Sequence, residues 1–288
     1  MRGSLMRYFG GKRMLSNKIL PLIPNNYKHF RSVFLGGGGL EFKLPCHGVS
    51  EVWNDLDSQL MNFYSVLQNP EKFRSFCFLC ELTPFSEDSF KVASYFTSLP
   101  IETFGDSVLA AYYFFVSNRF SRGGDGKSFA TSTSRLRRGI NEQVSAWLSV
   151  VESLPEFHER IKYIEIRKFH FSDFIEKFDS LDSFFYLDPP YMPETRKAGG
   201  YEVEMTKDDH EHLLKLLSTL EGRFLLHGYP SELYDDFAEE NDWFSEEMTV
   251  KKHSSSSQEK PSAIEKVWMN YDPSEFASQK IEDFGDKN

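Results

Sequence analysis

The stretch Phe184-Phe185-Tyr186-Leu187-Asp188-Pro189-Pro190-Tyr191 decides the fold. Its first four residues are strand formers, and they predict a buried strand that ends at Asp188, at the edge where open α/β sheets bind ligands. Neither proline has a backbone N–H, and the first one holds Asp188 in an extended or turn geometry. The carboxylate and the carbonyls can therefore accept hydrogen bonds, while Tyr191 adds a flat face. This combination suits a planar amine such as a nucleobase, although a plain turn after a strand explains the same residues.

The composition is that of a folded protein without a membrane segment. With 288 residues, 40% hydrophobic content and 28 Phe, the chain can bury a large core. No apolar stretch approaches the roughly 20 residues that cross a bilayer, and the start of the chain lacks a signal sequence. We therefore expect a soluble, cytoplasmic protein with no membrane contact and no obligatory protein partner. Residues 1–4 precede a second methionine, Met6, and are typical of an added leader, with a natural start as the alternative interpretation.

The cysteines and histidines do not predict a metal site. Three cysteines, Cys46, Cys77 and Cys80, are too few for an extracellular disulfide framework. Cys77 and Cys80 form a C-x-x-C pair in an apolar context without a second pair, so we expect buried structural thiols. His210 and His212 would point about 200° apart on a helix, which argues against a shared metal.

Charge is distributed unevenly along the chain. The formal net charge of -10 argues against a protein that simply coats nucleic acid. The segment Ser117 to Ile140, however, contains six bases and one acid. A basic, Gly- and Ser-rich loop of this kind can contact phosphates, although a solvated surface loop has the same composition. The candidate contacts are Arg119, Arg122, Lys127, Arg135, Arg137 and Arg138.

An earlier part of the chain has the pattern of a unit that binds a nucleoside cofactor. A strand from His29 to Leu35 precedes four glycines, Gly36 to Gly39, and a predicted helix from Leu40 to Leu44. A second strand, Ser50 to Trp53, then leads to Asp55, which lies 19 residues after Gly36. In dinucleotide-binding folds such an acid accepts hydrogen bonds from ribose hydroxyls. A complete G-x-G-x-x-G motif is absent, so a flexible turn remains the alternative interpretation of the glycines.

The middle of the chain interrupts this α/β pattern. Helices are predicted from Asp57 to Leu67, from Ser107 to Val116 and from Gln143 to Val151, with polar loops between them. Strands and helices resume near residue 161 and include a helix from Lys207 to Leu220 with a Thr206 cap. The predicted organisation is therefore a catalytic α/β domain of residues 1–60 and 161–288, interrupted by an inserted, mainly helical domain of residues 61–160.

Three motifs follow one another in an order that resembles a known family. Tyr8-Phe9-Gly10-Gly11-Lys12, Phe34-Leu35-Gly36-Gly37-Gly38 and Asp188-Pro189-Pro190-Tyr191 match Y-x-G-G-K, F-x-G-x-G and D-P-P-Y. The chain thus resembles the Dam-like, D12-class DNA adenine-N6 methyltransferases of bacteria and their phages, which have the alpha-group motif order. The resemblance covers nearly the whole chain except the middle block. It implies a Rossmann-like, S-adenosylmethionine-dependent methyltransferase sheet and a bacterial or phage-infected cell as the location.

The resemblance also implies roles for particular residues. Asp188, Pro189, Pro190 and Tyr191 would form the pocket for a flipped adenine in double-stranded DNA, with no metal required. The residues implied in binding S-adenosylmethionine are Tyr8, Lys12, Phe34, Gly36, Gly38, Asp55, Asp173 and Phe174. The middle block would recognise the DNA target. Its residues match the recognition segment of GATC-specific members only loosely, so that target is not carried over.

Two other functions agree with the same residues. An acid-Pro-Pro-aromatic loop also serves other planar amines, such as cytosine N4, adenine in RNA or a protein glutamine. A protein that kept the fold and lost turnover would be a catalytically silent nucleic-acid-binding module. The intact Asp188 and Asp55 favour an enzyme over such a module.

Overall fold

The computed structural model describes residues 4–7, 15–45, 48–192, 204–251 and 262–279. Its strands are β1 (His29–Ser32), β2 (Ser50–Asn54), β3 (Leu136–Arg137), β4 (Ile140–Asn141), β5 (Glu165–Arg167), β6 (Ser183–Leu187), β7 (Arg223–Gly228), β8 (Phe244–Lys251) and β9 (Ser262–Met269). Its helices are α1 (Ser16–Ile19), α2 (Ser58–Gln68), α3 (Pro70–Glu81), α4 (Glu87–Thr97), α5 (Ser107–Phe120), α6 (Glu142–Ile161), α7 (Phe171–Phe178), α8 (Lys207–Ser218) and α9 (Glu232–Glu240).

The chain divides into two compact units. The first comprises Met1–Arg13, Gly36–Cys46 and Asp55–Lys168, and the second comprises Met14–Leu35, His47–Asn54 and Phe169–Asn288. The predicted insertion of residues 61–160 falls within the first unit, and its role in DNA recognition stays a prediction. In the described part of the chain, no helix is long and apolar enough to cross a membrane.

The second unit is built on a mixed, mostly parallel sheet. Its strands lie in the order β2-β1-β6-β7-β9-β8. The pairs β1–β2, β1–β6 and β6–β7 are parallel, whereas β9 runs antiparallel to β7 and β8. The chain proceeds outward from β1 to β2 on one side and from β6 to β7 on the other. The boundary between β1 and β6 is therefore a topological switch point, where open α/β sheets bind ligands beyond the carboxyl ends of their strands.

Strand β6 is buried along its whole length, which confirms the predicted buried strand. Phe185 and Leu187 face a core that includes Phe171, Leu213 and Trp268. On the other face, the ring of Phe184 stacks on Tyr27 with the ring centres 5.3 Å apart. A central parallel strand is covered on both faces, so its sequence is apolar throughout instead of alternating.

Helix α8 begins where the sequence predicts. The Thr206 hydroxyl accepts a hydrogen bond from the Asp209 N–H at 3.2 Å, and the Asp209 carboxylate accepts one from the Thr206 N–H at 2.8 Å. This reciprocal capping box satisfies two N–H groups that have no partner within the helix. The predicted apolar stripe is confirmed, because Leu213, Leu214 and Leu217 are buried in the core of the second unit.

The segment after the glycines differs from its prediction. Instead of an α-helix over Leu40 to Leu44, the structure contains a single 3-10 turn, Glu41–Lys43. Leu44 is extended, with φ -74° and ψ 146°. The next residue is Pro45, whose ring disfavours helical geometry in the residue before it, so the helix stops after one turn.

The first unit contains α2 to α6 and a two-stranded antiparallel hairpin formed by β3 and β4. Its helices pack through aromatic side chains: the rings of Phe63 and Phe115 stack with their centres 5.4 Å apart. Cys80 on α3 is buried and Cys77 is partly buried, and neither forms a disulfide. Burial raises the pKa of both thiols, assisted for Cys77 by Glu81, which agrees with the predicted structural role.

Candidate active site

The Asp188 side chain lies at the carboxyl end of β6, next to the switch point. It follows the buried residue Leu187 directly, and 21% of its side chain is exposed. Pro189 is buried and Pro190 is partly buried. A rigid strand end therefore presents a carboxylate at the surface of a ligand-binding edge, as the sequence predicts.

His227 contacts Asp188, and two further polar side chains, Tyr191 and Glu265, contact His227. His227, near the end of β7, has its Nδ1 atom 3.3 Å from Asp188 Oδ1. The Tyr191 hydroxyl is 3.1 Å from the same Nδ1 atom and donates a hydrogen bond to Glu265 Oε2 at 3.3 Å. The sequence reasoning did not identify His227 or Glu265 as site residues. Tyr191 is 6% exposed, so its ring belongs to this buried cluster.

A second pair of polar groups lies behind the cluster. The Tyr234 hydroxyl on α9 and His210 Nδ1 on α8 are 2.7 Å apart, and both residues are buried. Burial raises the pKa of the Tyr234 phenol well above its usual value, and the negative charge of Asp188 adds to this effect. Tyr234 therefore remains a neutral phenol near the Asp188 carboxylate.

A shallow cavity of about 420 Å³ lies beside α7, lined by Phe169, Asp173, Glu176 and Lys177. The structure thus brings the predicted Asp173 to an open pocket. Phe174 behaves differently, because its ring is fully buried in the core. The predicted Phe34 packs its ring 6.0 Å from Phe171 at the start of α7.

Asn54, at the end of β2, connects the strand ends of the second unit to the loop before α7. Its side-chain amide donates to the Val33 and Phe169 carbonyls, each at 3.0 Å. Its carbonyl oxygen accepts the Phe169 N–H at 2.7 Å. Asn54 is 1% exposed, so these three hydrogen bonds are shielded from water. The amide therefore holds the loop that leads into the residues beside the cavity.

In the first unit, Asp55 holds the glycine turn. Its Oδ2 accepts the Gly36 N–H at 2.9 Å, and its Oδ1 accepts the Asp57 N–H at 3.0 Å. Gly36 and Gly38 have φ values of 52° and 63°, a region that favours glycine. A Cβ on Gly38 would lie 2.9 Å from the Phe42 ring. Asp55 therefore connects the glycine turn to Asp57, the residue that caps α2.

The first motif, with the predicted cofactor residues Tyr8 and Lys12, lies outside the described residues. Arg7, directly before it, is well anchored within the first unit. Its N–H donates to Asn118 Oδ1 at 2.8 Å, and its carbonyl accepts from Asn118 Nδ2 at 2.6 Å. Burial lowers the pKa of the Arg7 guanidinium, while Glu142 acts in the opposite direction.

The basic segment contains one buried and several exposed bases. Arg119 is 8% exposed and donates to the carbonyls of Ser4 and Ala146, so its position argues against the predicted DNA contact. Its burial follows from its place on the inner side of α5, which the composition of the segment does not reveal. The other predicted contacts are exposed: Arg122, Lys127, Arg135, Arg137 and Arg138.

A mixed, mostly parallel sheet with an acidic Pro-Pro-aromatic loop at its switch point is consistent with a methyltransferase fold. The sequence model of the D12 class N6 adenine-specific DNA methyltransferases matches residues 8–258, and the chain belongs to that family. This confirms the resemblance that the three motifs indicated.

Two curated relatives are similar to parts of the chain. The type II methyltransferase M1.LlaDCHI of Lactococcus lactis subsp. cremoris is 42% identical over 67 residues, which cover 23% of this chain and 23% of the relative. The modification methylase StsI of Streptococcus sanguinis is 23% identical over 228 residues, which cover 76% of this chain and 33% of the relative. The chain therefore spans about a third or less of the length of these relatives.

Proposed function

We propose that the chain transfers a methyl group from S-adenosylmethionine to the N6 amine of a flipped adenine in double-stranded DNA. The observation that carries the proposal is the position of Asp188, at the end of a buried strand beside the switch point of a mostly parallel sheet. Family membership supports the reaction class. The names of the two relatives support an assignment to a restriction-modification system.

Asp188 and Pro189 prepare the amine for attack. The N6 lone pair of adenine is delocalised into the purine ring, which makes the nitrogen a poor nucleophile. The Asp188 carboxylate and the Pro189 carbonyl each accept one N–H of the amine, and the nitrogen then becomes more pyramidal with a localised lone pair. Because Pro189 is buried and both prolines are rigid, this acceptor pair is positioned before the substrate arrives.

Several described residues have the chemistry that parts of the cofactor require. Gly36 and Gly38 carry no side chain and have positive φ values, so the turn presents bare backbone of the kind that can approach a ligand closely. Asp55, which is held by its hydrogen bonds to the glycine turn, is the carboxylate we assign to the ribose hydroxyls. In the second unit, the cavity beside Asp173 and Phe169 offers a carboxylate and an aromatic face for adenine. When bound, the cofactor supplies a methyl group on a positively charged sulfur. The roles of Tyr8 and Lys12 rest on the motif alone.

The β3–β4 hairpin is the best candidate for contact with DNA. Residues 135–141 are all exposed, and Arg138 and Gly139 at its turn have φ values of 57° and 78°. Among the described residues, no ion pair is formed by Arg135 or Arg137, whereas Arg138 pairs with Glu152 at 3.1 Å. Leu136 is 75% exposed beside these cations. The hairpin therefore offers two unneutralised cations for phosphates and an apolar side chain for a base.

The test is methyl transfer from labelled S-adenosylmethionine to unmethylated DNA, with RNA as a parallel substrate and identification of the modified nucleoside. We expect N6-methyladenine from DNA. Asp188→Ala should abolish transfer and leave cofactor binding largely intact. Asp182→Asn is the matched control, because Asp182 lies at the opposite end of β6 and pairs with the exposed Lys28. Full activity of Asp188→Ala would refute the assigned role, and N4-methylcytosine or methylated RNA would refute the substrate.

A further inference from the structure

His227 is a buried polar residue at the end of an apolar strand. It follows Phe224, Leu225 and Leu226 in β7, and all four side chains have an exposure of 0%. Its Nε2 atom lies 3.1 Å from Glu265 Oε2 but has no hydrogen-bond partner among the described residues. A buried nitrogen without a hydrogen bond destabilises a fold, and an apolar residue would avoid that loss. Stability alone therefore does not explain an imidazole here.

His227 lies beside the acid proposed to contact the target amine, because its Nδ1 atom faces Asp188. Nδ1 is 3.3 Å from Asp188 Oδ1, and Asp188 is 21% exposed while His227 is fully buried. Asp188 thus stands between the open ligand-binding edge and the imidazole. Methylation of an amine releases a proton, and a neutral imidazole is a suitable acceptor near neutral pH.

We propose that His227 receives, through Asp188, the proton that the adenine amine releases on methylation. This inference rests on the proposed function. The bond between N6 and the methyl carbon forms as the carbon–sulfur bond breaks, and that electron pair stays on sulfur. One N6–H bond breaks, and Asp188 Oδ1 takes the proton. His227, with its own ring proton on Nε2 and a lone pair on Nδ1, then takes that proton from Oδ1 and becomes an imidazolium ion. Asp188 returns to its carboxylate form, ready to accept a hydrogen bond again.

The surrounding groups suit this transfer. Glu265 on β9 places a carboxylate 3.1 Å from Nε2, where it stabilises the charge that the imidazole gains. Tyr191 donates a hydrogen bond to the same Glu265 oxygen and thereby fixes its position. The negative charge of Asp188 also raises the pKa of Tyr234 on α9, and the Tyr234 hydroxyl forms a hydrogen bond with His210 Nδ1 on α8. Because burial raises the pKa of Tyr234, this phenol does not release a proton to Asp188.

The first test is the rate of a single turnover of methyl transfer, measured between about pH 5 and pH 9. His227→Gln keeps a polar side chain that cannot take up the proton. We expect the rate of this variant to be roughly a hundredfold lower and no longer to rise with pH as the wild-type rate does. The cofactor Kd should stay within about twofold of the wild-type value. His158→Gln is the control, since His158 is a partly buried histidine on α6 in the first unit, where its Nδ1 atom lies 2.6 Å from the Leu67 carbonyl oxygen. It should keep the wild-type pH profile.

A second measurement does not depend on activity or on the stability of the His227 variant. The ¹⁵N chemical shifts of the His227 ring in the wild-type protein, recorded by NMR, show which ring nitrogen carries the proton, and we expect Nδ1 to be unprotonated. A ring proton on Nδ1 would overturn the proposal, as would wild-type rates and pH profile in His227→Gln. A wild-type protein that binds cofactor but methylates no DNA would instead overturn the proposed function, and with it the role of His227.

Discussion

Replacing Asn54 by alanine should weaken both the fold of the second unit and cofactor binding. The change removes three hydrogen bonds, to the Val33 carbonyl and to the N–H and carbonyl of Phe169. Asn54 is 1% exposed, so water cannot replace these bonds without disturbing the packing. A hydrogen bond contributes about 1 kcal/mol net, so the free energy of unfolding should fall by about 3 kcal/mol.

The second unit contains a matched control on the other side of its sheet. Asn270 bridges the backbone in the same manner, since its carbonyl oxygen accepts the Phe224 N–H at 2.9 Å and its amide donates to the Gly222 carbonyl at 2.9 Å. These groups lie at the start of β7, the edge opposite to the carboxyl ends that hold the proposed site. Asn270→Ala should therefore reduce the free energy of unfolding by about 2 kcal/mol without changing the site.

Cofactor affinity separates the two variants. In Asn54→Ala the Phe169 loop loses its attachment, and that loop leads into α7 and the cavity beside Asp173. We expect the Kd for S-adenosylmethionine, measured by calorimetry, to rise by about tenfold, which corresponds to about 1.4 kcal/mol. In Asn270→Ala it should stay within about twofold of the wild-type value. Equal losses of affinity, or a loss of stability in Asn54→Ala with unchanged affinity, would refute the positioning role.

Three further outcomes can be measured directly. Replacing Arg135 and Arg137 by glutamine should reduce the slope of log binding constant against log salt by about 1.8, and an unchanged slope would place the DNA contact elsewhere. Gly38→Ala should lower the free energy of unfolding by about 2 to 3 kcal/mol, because the added Cβ would meet the Phe42 ring. Gly123 also has a positive φ but no atom near the added Cβ, so Gly123→Ala should lower the free energy of unfolding by only about 1 kcal/mol. Equal losses in the two variants would exclude the contact with the Phe42 ring. Burial raises the pKa of Cys77 to about 12, so iodoacetamide at pH 8 should react roughly a thousandfold more slowly than with free cysteine, and rapid alkylation of the native protein would contradict this.

Structural features that depend on residues close together in the chain could be predicted from the sequence. The capping box at Thr206 needs only an acid three residues later, and the structure forms both of its hydrogen bonds. The burial of β6 follows from its uninterrupted apolar run. Pro45 also acts locally, because it ends the helix that the glycine motif predicts after a single turn.

Features set by the face of a helix were harder to predict. Arg119 belongs to a basic segment, but its guanidinium is buried because it lies on the inner face of α5. Charge counting treats every base in a segment as exposed, whereas a helix presents some of its residues to the core. Phe174 shows the same effect on α7, since its ring enters the core while Asp173, one position earlier, lines the cavity.

The cluster around Asp188 depends on the order of strands, and only part of that order is evident from the sequence. Strands β6 and β7 are consecutive in the sheet, so a histidine near the end of β7 could have been placed beside Asp188. An imidazole after three apolar residues was the available signal. Glu265 is different, because β9 returns antiparallel to β7 after β8 has formed the outer edge, and this reversal brings the acid to the same end of the sheet. An acid on a late strand gives no indication of that pairing, so the second carboxylate beside His227 could be found only from the structure.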